Sequence, residues 1–379
     1  MTEIKEINVF TFGDSSLVRT WSNVPFLLTK TLKDKGYVVN RINIMPNRYL
    51  QSFYNRIIYK ITLLIKKDNV YLYERTFLNF ILTFYQIRKF NKKYPNADLN
   101  IFTNFSFYNK YSTKPNVLFG DWDLDIGINE RMGRKPYYFE QKAVDRQRKV
   151  IENSDLVISL FPKSAEIMRL KYNNANIFHL KQNVINSLYG SSLNRDEIIV
   201  AKKKSFDLLF IGSINYVEGA KLLINAYSKL KQVYPQLSVK IVGIRKEQIE
   251  NLPEGVECYG YLDKNEEKDR KLYYELILKA RIFVNPTPLW GGYSSTIEAM
   301  YFYTPIIVSP YEEFVEEFGE KINFGKYCEE FSVDFLSNAI IEIIDSPNYE
   351  SISENAHQVV HNYTWDKYVD LMLGQIKKI

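Results

Sequence analysis

At 379 residues the chain exceeds one ordinary core and suits two domains. With 46% apolar and 25% charged residues it is neither disordered nor fibrous, and no uninterrupted apolar run reaches the length of a membrane span. Two cysteines, Cys258 and Cys328, exclude a disulfide framework and a cysteine metal cage, and fit a reducing cytoplasm.

MTEIKEINVFTF leads straight into a strand pattern without a basic and then apolar leader, which again fits a cytoplasmic protein. In the first half, short β-branched or apolar runs predict strands over 7–12, 37–44, 99–105, 116–122, 155–161 and 176–181. Helical periodicity falls at about 23–36, 47–66, 71–93, 138–153 and 163–173. From Arg41 to Pro95, eleven Lys and Arg stand against Asp68 and Glu74, a local charge of +9, so the rest of the +6 chain is net acidic. Tyr, Phe, Ile and Leu are interleaved with these cations, which fits amphipathic helices against an anionic membrane surface as well as a plain solvated basic face. No nucleic-acid-binding motif accompanies the charge, so nucleic acid is not expected as a partner.

A polar stretch from Asn183 to Lys204 interrupts the rhythm, and residues 191–204 are expected as a linker. Strand patterns resume over 206–213, 237–243, 256–262, 281–286 and 305–310, with helices at about 217–234, 266–280 and 294–303. The alternation predicts an α/β chain of two doubly wound Rossmann-like domains facing a cleft: 1–190, the linker, and 205–350. The tail, 351–379, is expected as a helix crossing back to the first domain.

Strands of the second half end at Gly212, Gly243, Gly260 and Pro286, which lets a ligand lie along their carboxyl rim or simply marks turns. The stretch NPTPLWGGYSSTIEAM opens a helix near Ser294 after Gly291, Gly292 and Tyr293. Free N–H groups there, with Ser294, Ser295 and Thr296, make a ready anion site, and Glu298 can accept from a ribose diol. Ser295-x-x-Glu298 equally reads as a capping box. In the first half DWDLD places Asp121, Asp123 and Asp125 at a strand end, able to orient a substrate or hold a divalent ion, or to be a solvated acidic loop. His179, His357 and His361 read as structural.

LLFIGS, KLLINAYSKL, LSVKIVG, VECYGYL, RIFVNPT and IEAMYFYTPIIVS together resemble the nucleotide-sugar domain of GT-B transferases, specifically glycosyltransferase family 4, over roughly 205–312. WSNVP after the first strand, ENSDLVISLFPKSAEIMRLKY and YTWDKYVDLML resemble further parts of that family. The resemblance implies glycosyl transfer with retention from a nucleotide sugar to a hydroxyl, without a resident cofactor or metal, in polysaccharide or glycolipid assembly. It implies donor contacts at Gly13, Gly212, Ser213, Gly243, Arg245, Tyr261, Leu262, Gly291, Gly292, Tyr293, Ser294, Ser295, Thr296 and Glu298. Arg19, Trp21, Ser22 and Asp123 fall on the acceptor side, and Asp121 and Glu298 are the expected catalytic pair. The pattern departs from the family where Trp290, Ser213 and Glu218 replace an acidic residue and a cationic diphosphate clamp; Arg245, Lys221 or Arg19 are the available substitutes. An inverting GT-B transferase, a nucleotide-sugar epimerase and a non-catalytic GT-B subunit that binds a sugar or partner remain alternatives.

Overall fold

The computed structural model describes residues 4–288 and 292–379. The chain divides into two units, residues 1–183 with 365–379, and residues 184–364. In the first, β1 (Glu6–Thr11), β2 (Val38–Asn43), β3 (Leu99–Phe102), β4 (Asn116–Gly120), β5 (Leu156–Ser159) and β6 (Ile177–Phe178) form a parallel sheet in the order β2-β1-β3-β4-β5-β6. β3, β4 and β5 are buried along their whole length, as strands covered on both faces must be. The register is pinned inside this sheet by amides. Asn8 lies opposite both Asn40 and Asn100. Asn40 Nδ2 donates to Asn8 Oδ1 at 2.9 Å, and Asn8 Nδ2 and Asn109 Nδ2 both donate to Asn100 Oδ1 at 3.2 Å. A one-residue slip would strand these buried amides.

In the second unit β7 (Asp207–Ile211), β8 (Ser238–Val242), β9 (Val256–Gly260), β10 (Ile282–Asn285), β11 (Ile306–Val308) and β12 (Gly325–Tyr327) are ordered β12-β11-β10-β7-β8-β9, again all parallel. This is the doubly wound order whose direction reverses beside β7. The fold is therefore α/β, with two Rossmann-like units as in GT-B proteins.

Three departures from the sequence reading have physical causes. Residues 195–204, expected within a linker, form the helix Arg195–Lys204, capped by Asn194. Its Lys202, in the stretch expected as a linker, is fully buried, and its Nζ donates to Ile277 O (2.7 Å), Ala280 O (3.1 Å) and Thr304 Oγ1 (2.8 Å). These acceptors use all three ammonium hydrogens and cap the helix Glu267–Lys279, while burial pulls the Lys202 pKa well below its usual value. Second, the sheet has a sixth strand, β12, which is only three residues long and reads Gly-Lys-Tyr, so no apolar run announces it. The helices Glu312–Phe318 and Val333–Ile344 were likewise not expected. Third, the unit boundary falls at 183/184, and the tail splits: Tyr349–Val360 belongs to the second unit and Trp365–Ile376 to the first. The last helix buries Trp365, Tyr368, Val369, Met372 and Ile376. Phe119 of β4 meets the Tyr368 ring at 5.8 Å, and Lys35 pairs with Asp366 and Asp370 at 2.7 and 2.8 Å.

The basic region also differs from the expected continuous helices. Residues 48–65 run as Arg48–Phe53, a π turn over Tyr54–Ile58, and Tyr59–Ile65, and none of these residues is buried. The next helix starts at Phe77, where Thr76 Oγ1 accepts from Asn79 N. Among the described residues no helix is long and apolar enough to cross a membrane.

Lys202→Met keeps the length of the side chain but leaves two helix-end carbonyls unanswered. We expect it to lower stability by about 2 kcal/mol in urea unfolding, with Lys202→Ala costing more because it also opens a cavity.

Candidate functional site

The site is best built from the carboxyl edge of the second sheet. Gly212 N donates to Val242 O at 3.0 Å and Gly243 N to Gly260 O at 2.7 Å, so the ends of β7, β8 and β9 lie side by side. Gly243 has φ +95°, and a Cβ there would sit 2.4 Å from Gly212 O. No other residue fits that position without moving the backbone. A second close approach brings the helix Val217–Leu230 against the loop after β10, where a Cβ on Gly219 would lie 2.3 Å from Thr287 Oγ1.

The helix Ser294–Tyr301 begins at this edge. Ser295 Oγ donates to Ile211 O of β7 at 3.5 Å, and Asn186 Nδ2 donates to Ser294 Oγ at 3.2 Å. Among the described residues no side chain caps the helix, and no acceptor is bonded to the N–H groups of Ser294, Ser295 or Thr296. Three backbone donors and the positive end of the dipole are thus left at the tip, the arrangement that receives anions. Gly292 is exposed, and Ser294 and Ser295 are partly so. Gly291 and Trp290 lie outside the described residues.

The proposed capping box is absent, because Glu298 is the fifth residue of the helix and its carboxylate turns inward. Glu298 is 2% exposed. Its Oε2 accepts from Tyr273 Oη at 2.8 Å and Lys264 Nζ at 3.1 Å, and its Oε1 from Tyr274 Oη at 3.2 Å. Lys264 also sits 3.9 Å from the centre of the Tyr273 ring. Burial and the Glu298 charge together push both tyrosine hydroxyls up, so they remain donors. Lys264, Tyr273 and Tyr274 were missed from the sequence. The one available signal was a lysine just beyond a strand end, at Leu262-Asp263-Lys264.

The other expected donor contacts scatter in character. Arg245 is exposed beyond β8, its stem lying over Gly260 (3.0 Å from a Cβ there), and it pairs with no carboxylate among the described residues. Ser213 is exposed at the start of a short 3-10 turn, and Tyr261 is 71% exposed, whereas Leu262 is buried. Tyr293 and Thr296 are buried too, which takes the Thr296 hydroxyl away from the expected donor set. The Tyr293 ring packs 5.4 Å from Phe314 and 5.9 Å from Phe318, so only its backbone faces the helix tip. Lys221 is taken by Glu218 at 2.8 Å and offers no free clamp.

In the first unit the three aspartates part company. Asp123 is buried, accepting from Ile126 N at 2.7 Å and from Tyr172 Oη; Asp125 accepts from Lys171 Nζ at 2.9 Å and Asn129 Nδ2 at 2.5 Å. Both stabilise the loop, which corrects the acceptor-side expectation for Asp123. Among the described residues no group of three or more His, Cys, Asp and Glu is gathered to hold a metal. Asp121 is left half-buried at the end of β4. Burial pushes its carboxyl up to about 6, against the pull of the Trp21 side chain and the Arg131 charge. Trp21, 5.9 Å from the Phe119 ring, Ser22 and Asn23 are three successive residues at positive φ, a strained run leading into the helix Val24–Asp34. Gly13, at φ +107°, turns the chain after β1, and Arg19 and Ser22 are exposed. His357 Nδ1 donates to Tyr301 O (2.6 Å) and the ring stacks on Tyr303, a packing role, and burial pulls its pKa down.

With this geometry in place, comparison with known proteins is informative. Residues 193–359 match the family model described as Glycosyl transferases group 1. That span lies within the second unit, residues 184–364. An uncharacterised glycosyltransferase of Haemophilus influenzae is 23% identical over 181 residues, 46% of this chain. The match spans half the length of that relative. Sucrose-phosphate synthase from Thermosynechococcus elongatus superposes with a TM-score of 0.65 at 16% identity, over 99% of this chain and 98% of the other. Anabaena HepE, solved in complex with UDP and glucose, gives a TM-score of 0.60 at 15% identity, over 98% and 100%. At these identities the two structures speak for the GT-B fold.

Removing the Glu298 carboxylate strands an ammonium and two hydroxyls. Glu298→Ala should cost about 3–5 kcal/mol in chemical unfolding, and Glu298→Gln, which keeps an acceptor oxygen, about 1–2 kcal/mol. For Asp121 the sign follows from proton uptake. The folded carboxyl keeps its proton up to about pH 6, whereas an unfolded aspartate loses it near pH 4, so stability declines as pH rises across that window. Asp121→Asn should match the parent below pH ~4 and exceed it above pH ~6, by up to roughly 2 kcal/mol in urea midpoints followed against pH.

Proposed function

We propose that the chain is a retaining, nucleotide-sugar-dependent hexosyltransferase of glycosyltransferase family 4, acting in the cytoplasm on a hydroxyl of a growing polysaccharide or glycolipid. One observation carries this reading: the uncapped tip of the Ser294–Tyr301 helix stands beside the β7 end, at a strand edge where Gly243 keeps the backbone bare. A diphosphate is the anion that matches several converging N–H donors. HepE, whose fold this chain shares, was crystallised with UDP and glucose, which supports a nucleoside-diphosphate sugar as donor. Both cysteines are free, which suits a reducing compartment.

In this reading the barrier is the separation of a cationic sugar from an anionic diphosphate. The helix N–H groups, the Ser294 and Ser295 hydroxyls and the exposed Arg245 stabilise the departing charge more than the bound donor. Glu298 holds a ribose diol with acceptor capacity left beside its three donors, or else fixes the helix that carries the tip. Asp121, its proton held to about pH 6, is assigned to the acceptor hydroxyl. The donor's own phosphate takes the acceptor proton, and no resident metal is required by the scheme.

A second reading, a GT-B subunit that binds sugar or partner without turnover, draws on one specific feature. Glu298 is already occupied by Lys264, Tyr273 and Tyr274, and the positions of the usual clamp hold Ser213 and Glu218. Titration calorimetry with a panel of nucleoside diphosphates and their sugars, followed by nuclear magnetic resonance of slow donor hydrolysis, separates the two. Binding with turnover to a product of unchanged anomeric configuration is expected, and Arg245→Ala should weaken the diphosphate about tenfold with no loss of stability. Absence of nucleotide binding would sink the proposal, and binding without turnover across mixed acceptors would favour the second reading.

A further inference from the structure

The segment 48–65 is amphipathic in the wrong sense for a helix packed on a core. Its polar side chains are the ones that hold it to the first unit. Gln51 Nε2 donates to Glu74 Oε1 at 2.5 Å, Tyr54 Oη to Tyr71 O at 3.2 Å and Tyr59 Oη to Asn69 O at 2.5 Å. Asn55 Oδ1 accepts from Tyr73 N at 3.1 Å, and Thr62 Oγ1 from Asn69 Nδ2 at 2.7 Å. The apolar side chains at Tyr49, Phe53, Ile57, Ile61, Leu64 and Ile65 fall at helical spacing on the other face, and all are exposed, Leu64 at 84% and Tyr49 at 87%. A soluble surface normally keeps such residues scattered. Here they make one stripe, and the hydrogen bonds beneath prevent the helix from rolling it inward.

Charge identifies what covers the stripe. Between Arg48 and Lys67 there are five cations, Arg48, Arg56, Lys60, Lys66 and Lys67, and no carboxylate. All five are exposed. A protein interface of this size would place some counter-charge or few charges at all, whereas a bilayer with anionic headgroups rewards cations at the level of the phosphates and aliphatic chains just below them. Tyr71, to which Tyr54 is bonded, also lines a cavity of about 500 Å³ with Phe77, Tyr138, Phe139, Lys142 and Arg146, so aromatic rings and cations extend from the helix onto its neighbours. We infer that the 48–65 segment is a built-in anchor that lies in the surface of an anionic lipid bilayer, with the Tyr49–Ile65 stripe inserted.

The anchor is independent of the donor chemistry, so its failure and that of the transferase reading are separable. The full chain would be sedimented with vesicles of phosphatidylcholine, with and without phosphatidylglycerol, over a range of salt. Binding is expected only with the anionic lipid, weakening as salt rises. Ile61→Asp with Leu64→Asp should reduce partitioning at least tenfold at an unchanged thermal midpoint, since both residues are already exposed. Lys60→Ala and Lys67→Ala should each weaken it about fivefold. Nucleotide affinity, read by calorimetry on the same variants, should stay constant. Indifference of vesicle binding to the double aspartate variant would overturn the inference. So would absence of vesicle binding together with a dimer in sedimentation velocity that the same variant dissolves, which would make the stripe a contact between copies of this chain.

Discussion

The organisation of the second unit hangs on one buried negative charge. Glu298 draws together the loop after β9 through Lys264, the helix Glu267–Lys279 through Tyr273 and Tyr274, and its own helix, whose tip is the candidate phosphate site. A carboxylate taken out of water is tolerated only when its lone pairs are answered, and here three donors answer them. Tyr274 in turn accepts from Leu188 N, so the chain entering the unit is fixed to the same knot. The orientation of the helix tip is therefore a by-product of satisfying a charge four residues further on. That gives the site rigidity from its supporting side chains rather than from the ligand.

Strand pattern carried far in this chain because parallel strands covered on both faces are largely apolar or β-branched. All six strands of the first sheet and five of the second stand where such runs do. What escaped detection failed that test for stated reasons. β12 is three residues with a glycine and a lysine, and Arg195–Lys204 presents its only deeply buried polar residue, Lys202, inside a run of like charges. Sequence treats a lysine as solvated; only the three oxygens around its tip make it internal.

The candidate site divides in the same way. That glycines end the strands was legible, and Gly243 does sit where a Cβ would strike backbone. The partners of Glu298 lie 24, 25 and 34 residues earlier in the chain, beyond any local spacing rule, so the carboxylate read as a cap or a ribose ligand while its buried contacts went unseen. The DWDLD run illustrates the complementary error. Three acids at alternate positions read as one cluster, yet two point into hydrogen bonds with Tyr172 and Lys171, and only Asp121 stays at the rim.

The return of the last helix to the first unit has a bearing on biogenesis. The second unit is one uninterrupted stretch, 184–364, while the first is split around it. During synthesis the insert emerges whole and can collapse on its own, but β4 keeps Phe119 without the Tyr368 ring, and Lys35 waits for Asp366, until the ribosome has passed the closing helix. The portion made first is thus the one completed last, and a nascent chain stalled before Trp365 would expose an open core to chaperones and proteases.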